Sequence, residues 1–134
     1  MDIETLFAKA LEASRASYSP YSHFRVGAAL LCDDGTVFTG TNVENRSFGL
    51  TTCAERNAVA AAVSAGKRGL AGIVVATPDA EYPVSPCGAC RQVLSEFLPP
   101  EAPIAFGHAA DRIVVTTMGE LFPNDALHEL KARH

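Results

Sequence analysis

Ser85-Pro86-Cys87-Gly88-Ala89-Cys90 sets two thiols three residues apart, directly after a proline. A third, Cys53, stands two residues before Glu55 in Thr52-Cys53-Ala54-Glu55-Arg56. Thiolates are zinc ligands, and three protein ligands leave the fourth position for water, which is the catalytic arrangement; a structural zinc fills all four. A carboxylate beside one ligand can take a proton from that water and return it to a leaving group without binding the metal. This makes Cys53, Cys87 and Cys90 candidate ligands of Zn²⁺ and Glu55 the candidate proton shuttle.

The thiols need elements that aim them together. Thr52 is expected to cap a helix with Cys53 in its first position. Ser85 is expected to cap another, with Pro86 first, Cys87 second and Cys90 one turn on. Residues three apart share a helix face. The partial positive charge of a helix start favours the thiolate. Other readings fit the same residues. Thr52-x-x-Glu55 is also a capping box, and Cys-x-x-Cys at a helix start is also a dithiol redox pattern. Cys32 reads as a buried apolar thiol or as a fourth ligand of a non-catalytic zinc module. His23, His108, His128 and His134 read as surface residues in loops or near an end.

The rest of the chain alternates in period. Ile3, Leu6, Phe7, Ala10 and Leu11 recur at helical spacing, predicting a helix over 3–17. Residues 24–31 and 36–41 read as strands joined by a hairpin turn at Asp33-Asp34-Gly35. An alanine-rich helix follows at 53–66, then a buried strand at 70–77, a helix at 86–97, and strands at 103–107 and 112–117. Thr117 and Glu120 fit a capping box for a short turn, and 124–133 fits a last helix. The order α-β-β-α-β-α-β-β-α predicts a single-domain three-layer α/β/α sandwich on a mixed sheet of about five strands.

A chain of 134 residues is long enough to bury a core without disulfides. A net charge of −4 and no basic run beyond Lys67-Arg68 argue against nucleic-acid polymers as partners. No stretch approaches a membrane span, and the acidic, periodic start does not read as a signal peptide. A cytoplasmic setting with reduced thiols is the expectation.

Cys53-Ala54-Glu55 joined to Pro86-Cys87-x-x-Cys90 is far more specific than either part, and it resembles the zinc-dependent nucleoside deaminases. From "YSPYSHFRVGAALL" to "GELFP" the chain is similar to the small homotetrameric cytidine deaminases. The resemblance implies hydrolysis of cytidine and deoxycytidine to uridine and deoxyuridine with release of ammonia. It implies zinc on the three thiols and Glu55 as shuttle. It implies that Asn42 and Glu44 hold a ribose hydroxyl and that Phe24 packs on the base. It further implies that peptide groups around Ala54 and Ser85 read the pyrimidine edge, and that Arg56 hydrogen-bonds the thiolates. Such a site of three thiolates carries a charge of −1, so a donor that draws charge off sulfur would keep the metal acidic.

The chain also departs from that family. "ENRSF" stands where "ENASY" or "ENACY" is common, so Arg46 and Phe48 occupy a segment expected to reach a neighbouring subunit's site. "LFPNDAL" lacks the phenylalanine of the usual "LLPxxF". These changes leave the chemistry alone and open a second substrate reading, a modified or anionic cytosine nucleoside such as blasticidin S.

Overall fold

The computed structural model describes residues 1–133; His134 lies outside the described residues. Helix α1, Ile3–Ser14, is capped by Asp2, whose carboxylate accepts from the Thr5 amide at 3.1 Å. It stops one turn earlier than its periodicity suggested. Five strands follow: β1 Gly27–Cys32, β2 Val37–Thr41, β3 Leu70–Ala76, β4 Pro103–Ala109 and β5 Arg112–Thr117. Helices α2, Ala54–Ser64, and α3, Gly88–Phe97, flank β3, and a short α4, Met118–Leu121, follows β5.

The strands form one sheet in the order β2-β1-β3-β4-β5. β3 and β4 run parallel, joined through α3, and every other neighbouring pair is antiparallel. The sheet is therefore mixed. Leu6, Phe7 and Ala10 of α1 pack on Ala29, Val74 and Ala105 on one face. Ala58, Val59 and Leu94 of α2 and α3 pack on Leu30, Ile73 and Ile104 on the other. The central strands are buried on both faces, which is why β3 reads as a continuous apolar run.

Two glycines set the layer spacing. A Cβ on Gly27 would lie 1.8 Å from the Ala10 carbonyl oxygen, and one on Gly40 would lie 2.4 Å from that of Ala54. The first lets α1 lie down on β1, and the second lets the start of α2 lie down on β2. Asp33-Asp34-Gly35 turns the β1–β2 hairpin as expected, with Gly35 at a φ of 88° and its amide donating to Cys32 O at 3.0 Å.

Three further elements differ from expectation. β1 was expected from Phe24 and begins at Gly27. Asn42 takes the backbone groups ahead of it, its Oδ1 accepting from the Val26 amide at 3.0 Å and its Nδ2 donating to Phe24 O at 2.8 Å. The expected last helix over 124–133 is a 3-10 turn at His128–Arg133 only; Leu127 stands in the left-handed region at a φ of 60°, which a helix cannot continue through. Thr117 caps α4, but Glu120 turns to the Thr116 hydroxyl instead of back to the Thr117 amide, so half of the capping box forms.

Candidate active site

The starts of α2 and α3 meet beside the sheet. Cys53 is the N-cap of α2 and Cys87 the N-cap of α3, and neither helix has a side-chain cap. Thr52 and Ser85 thus do not cap as expected; Cys53 sits one position, and Cys87 and Cys90 two positions, nearer the helix start than predicted. Thr52 is extended instead, its amide and carbonyl exchanging bonds with Val43 at 2.9 Å each. Ser85 Oγ accepts from Arg91 Nη2 at 2.8 Å, and Arg91 Nε donates to Pro86 O at 2.8 Å. Asn57 Nδ2 donates to Thr41 O at 2.7 Å, tying the first turn of α2 to the end of β2.

The three sulfurs of Cys53, Cys87 and Cys90 lie within 4.8 Å of one another. Cys53 and Cys87 Sγ are 3.9 Å apart. Tetrahedral zinc with bonds of about 2.3 Å sets sulfurs about 3.8 Å apart, so the donor set fits that metal in type and spacing. Cys32 is not part of it. It is 2% exposed, packed in the core with Leu30 and Leu70, and its thiol is pushed up by burial. The fourth-ligand reading of Cys32 is therefore wrong for this fold. Arg56 Nη2 donates to Cys53 Sγ at 3.3 Å, while its Nε is buried with no hydrogen-bond partner among the described residues. A hydrogen bond from Cys90, with help from Arg56, draws the Cys53 thiol down to about 5. The same contact, with burial, pushes the Cys90 thiol up.

Glu55 is 4% exposed and forms no cap, which removes the capping-box reading. Burial pushes its carboxyl up to about 7, opposed in part by its own backbone amide and by a hydrogen bond from Cys90. A carboxyl in that range both accepts and releases a proton near neutrality. Beside it opens a cavity of about 370 Å³. Phe24, Val26 and Asn42 line one side, Thr77, Val84 and Ser85 the other, and Cys53 and Glu55 stand at its wall. Its size and mainly apolar lining suit a small planar ligand.

Residues 1–105 match the family model described as the cytidine and deoxycytidylate deaminase zinc-binding region. The chain belongs to that deaminase family. It is 46% identical over 123 residues to the cytidine deaminase of Halalkalibacterium halodurans, covering 92% of each chain. It is 46% identical to that of Sporosarcina psychrophila, covering 92% of this chain and 90% of the relative. The crystal structure of a cytidine deaminase from Burkholderia pseudomallei superposes with a TM-score of 0.87 at 43% identity, over 92% of this chain and 98% of that one. Zinc is the cofactor of this family region, and the dithiol redox reading of Cys87 and Cys90 falls with it.

Other residues expected at a deaminase site vary in their surroundings. Phe24 is half-buried in a loop rather than in a strand. Asn42 is buried and engaged with Ser17 and with the backbone at 24–26. Glu44 accepts from the Tyr21 and Ser22 amides at 3.0 and 3.2 Å and from the Ser22 hydroxyl, which holds its carboxyl below the usual range. It shapes the loop behind Phe24 and does not line the cavity. Ala54 is fully buried under Gly40. Arg46 and Phe48 are exposed, and Arg46 has no hydrogen-bond or ion-pair partner among the described residues. His108 lies in β4, half-buried, and not in a loop as expected. Sequence reasoning missed Arg91 and Asn57. Arg91 adjoins Cys90 and Asn57 lies in the first turn after Cys53, so adjacency to the thiols was their only signal.

Proposed function

We propose that the chain hydrolyses the 4-amino group of free cytidine and 2′-deoxycytidine, releasing ammonia and leaving the uracil nucleoside. One observation carries this reading: a buried carboxyl, Glu55, beside three converged thiols at the wall of a cavity sized for a nucleoside. Cys53, Cys87 and Cys90 hold zinc, which supplies the Lewis acidity that makes water nucleophilic near neutral pH. Glu55 takes a proton from the attacking water and passes it to N3 of the base; it then takes the proton of the new C4 hydroxyl and delivers it to the amine, so that C4=O forms as the C4–N bond breaks. Arg56 withdraws charge from Cys53 through its 3.3 Å contact. Phe24 offers its ring to the base, Asn42 meets the ribose hydroxyl from the cavity wall, Glu44 holds the loop that carries Phe24, and backbone groups at Ala54 and Ser85 meet the polar edge of the pyrimidine.

The active species is a homotetramer. Tyr18, Tyr21, Val43, Phe48 and Leu50 make an exposed apolar patch that runs up to Thr51 at the cavity, and Phe48 and Leu50 are 74% and 68% exposed. Such a patch marks an association surface. Arg46 and Phe48 lie in it and reach the neighbouring site. No described helix is long and apolar enough to cross a membrane, and four free cysteines are consistent with a cytoplasmic protein acting on small nucleosides and not on nucleic-acid polymers.

A second substrate reading rests on Arg46, a fixed cation in that patch with no partner among the described residues, which would favour a carboxylate-bearing nucleoside. The deciding experiment assays purified, zinc-loaded protein on cytidine, deoxycytidine, their monophosphates and blasticidin S. Turnover highest on the two plain nucleosides is expected. Preference for blasticidin S moves the substrate to the anionic class, and no turnover on any of them overturns the assignment.

A further inference from the structure

Two facing walls of the cavity come from loops with no regular structure of their own. Residues 17–26 supply Ser22, Phe24 and Val26, and residues 77–87 supply Thr77, Val84 and Ser85. Each loop is tied down on its outer side, the first by Asn42 and Glu44 and the second by Arg91. Among the described residues one pair of side chains links the two loops directly. Arg25 Nη2 donates to Asp79 Oδ1 at 2.7 Å and Arg25 Nε to Asp79 Oδ2 at 3.0 Å. The Arg25 backbone amide donates to the same Oδ2 at 2.8 Å. This geometry is the planar, two-pronged form in which Arg–carboxylate pairs are strongest.

We propose that the Arg25–Asp79 pair is a positioning strap that sets the separation of the two cavity walls and so the affinity for the nucleoside. The inference rests on the reading of this cavity as the nucleoside site. Arg25 follows Phe24 directly, so the Asp79 carboxylate that holds the Arg25 amide also fixes the peptide carrying the Phe24 ring. Neither Arg25 nor Asp79 lines the cavity or bonds to the thiols or Glu55. The strap therefore acts on capture of substrate and leaves the chemical step alone. The side chains are 45% and 26% exposed, so salt reaches the pair. Cytidine is neutral, so its own binding has no charge for salt to screen. A salt-dependent KM reports the strap.

The test uses the full, zinc-loaded chain with cytidine well below its melting temperature. Asp79→Ala is expected to raise KM about 10-fold, equal to about 1.4 kcal/mol, with kcat within about two-fold. Asp79→Asn should fall between, because its one remaining side-chain oxygen can take the place of Oδ2 and accept from the Arg25 amide. Arg25→Ala added to Asp79→Ala should cost nothing more. The wild-type KM should rise between about 0.05 and 0.5 M salt, and that rise should vanish in Asp79→Ala. Asp34→Asn, which removes the exposed Lys67–Asp34 pair at the far end of the sheet, should leave KM and its salt dependence unchanged. An unchanged KM in Asp79→Ala, or an equal fall in kcat, overturns the strap while the nucleoside reading stands. A wild-type chain without cytidine turnover overturns both.

Discussion

Cys53 and Cys87 bring their sulfurs to 3.9 Å across 34 positions of sequence. Each is the residue immediately before a helix, where the backbone is still extended and the first amides of the next turn point toward the thiol. That shared position sets two sulfur donors side by side, as a bound cation requires.

Metal content tests this convergence directly. Purified protein should carry about one zinc per chain. Cys87→Ala should lose it and melt lower, because a metal held only by the folded state contributes its binding energy to stability. Full zinc retention in that variant would remove Cys87 from the ligand set.

Glu55 separates chemistry from structure. Glu55→Gln should keep zinc and fold while kcat falls roughly 10²- to 10⁴-fold. Its melting temperature should hold or rise, since a buried carboxyl that forms no cap is replaced by a neutral amide. A normal rate with a lowered melting temperature would mean that Glu55 is structural.

Gly40 is the seat of the metal-bearing helix. A methyl group there meets the backbone of Ala54 at 2.4 Å and of Ala58 at 2.5 Å. Neither neighbour is a flexible side chain, so α2 must shift. Gly40→Ala should destabilise the chain by about 1–3 kcal/mol and release zinc faster to a chelator. Undiminished stability with unchanged zinc release would show that the layer yields elsewhere.

The exposed patch around Phe48 should hold subunits together. Wild-type protein should sediment as a tetramer at micromolar concentration, and Phe48→Asp should shift it toward smaller species with loss of kcat/KM. Arg46→Ala should leave chain stability within about 0.5 kcal/mol, since Arg46 has no intrachain partner among the described residues. A monomeric wild type with full activity would leave the patch without an assembly role.

Acid should loosen the strap in a defined window. The hydrogen bonds from Arg25 hold the Asp79 carboxyl down at about 2, against 3.8 for a free aspartate. A depressed folded value means the pair stabilises above pH 3.8 and its contribution is lost as pH falls toward 2. Asp79→Ala should therefore flatten the stability curve between about pH 4 and pH 2, read by urea denaturation across that range. A curve identical to that of the wild type would show that Asp79 is not bonded in solution.

Much of this protein is legible in its local pattern. Helical spacing named α1, an alanine-rich run α2, a continuous apolar run β3 and Gly35 the hairpin, because these features depend on neighbours within a few residues, whereas the helix expected over 124–133 did not form. The joined motif around Cys53, Glu55, Cys87 and Cys90 named the chemistry, because a metal site requires particular donor atoms in a particular order. Three-dimensional structure decided the remainder. Whether Cys53 or Thr52 caps α2 depends on the Val43–Thr52 pairing, which no local rule contains. Whether Cys32 joins the metal depends on which side of the sheet buries it. Arg25 and Asp79, 54 positions apart, bear no mark of each other in the sequence. A pattern of residue types records what each residue prefers nearby. A long-range contact exists only once the sheet order β2-β1-β3-β4-β5 has brought the ends of β1 and β3 side by side.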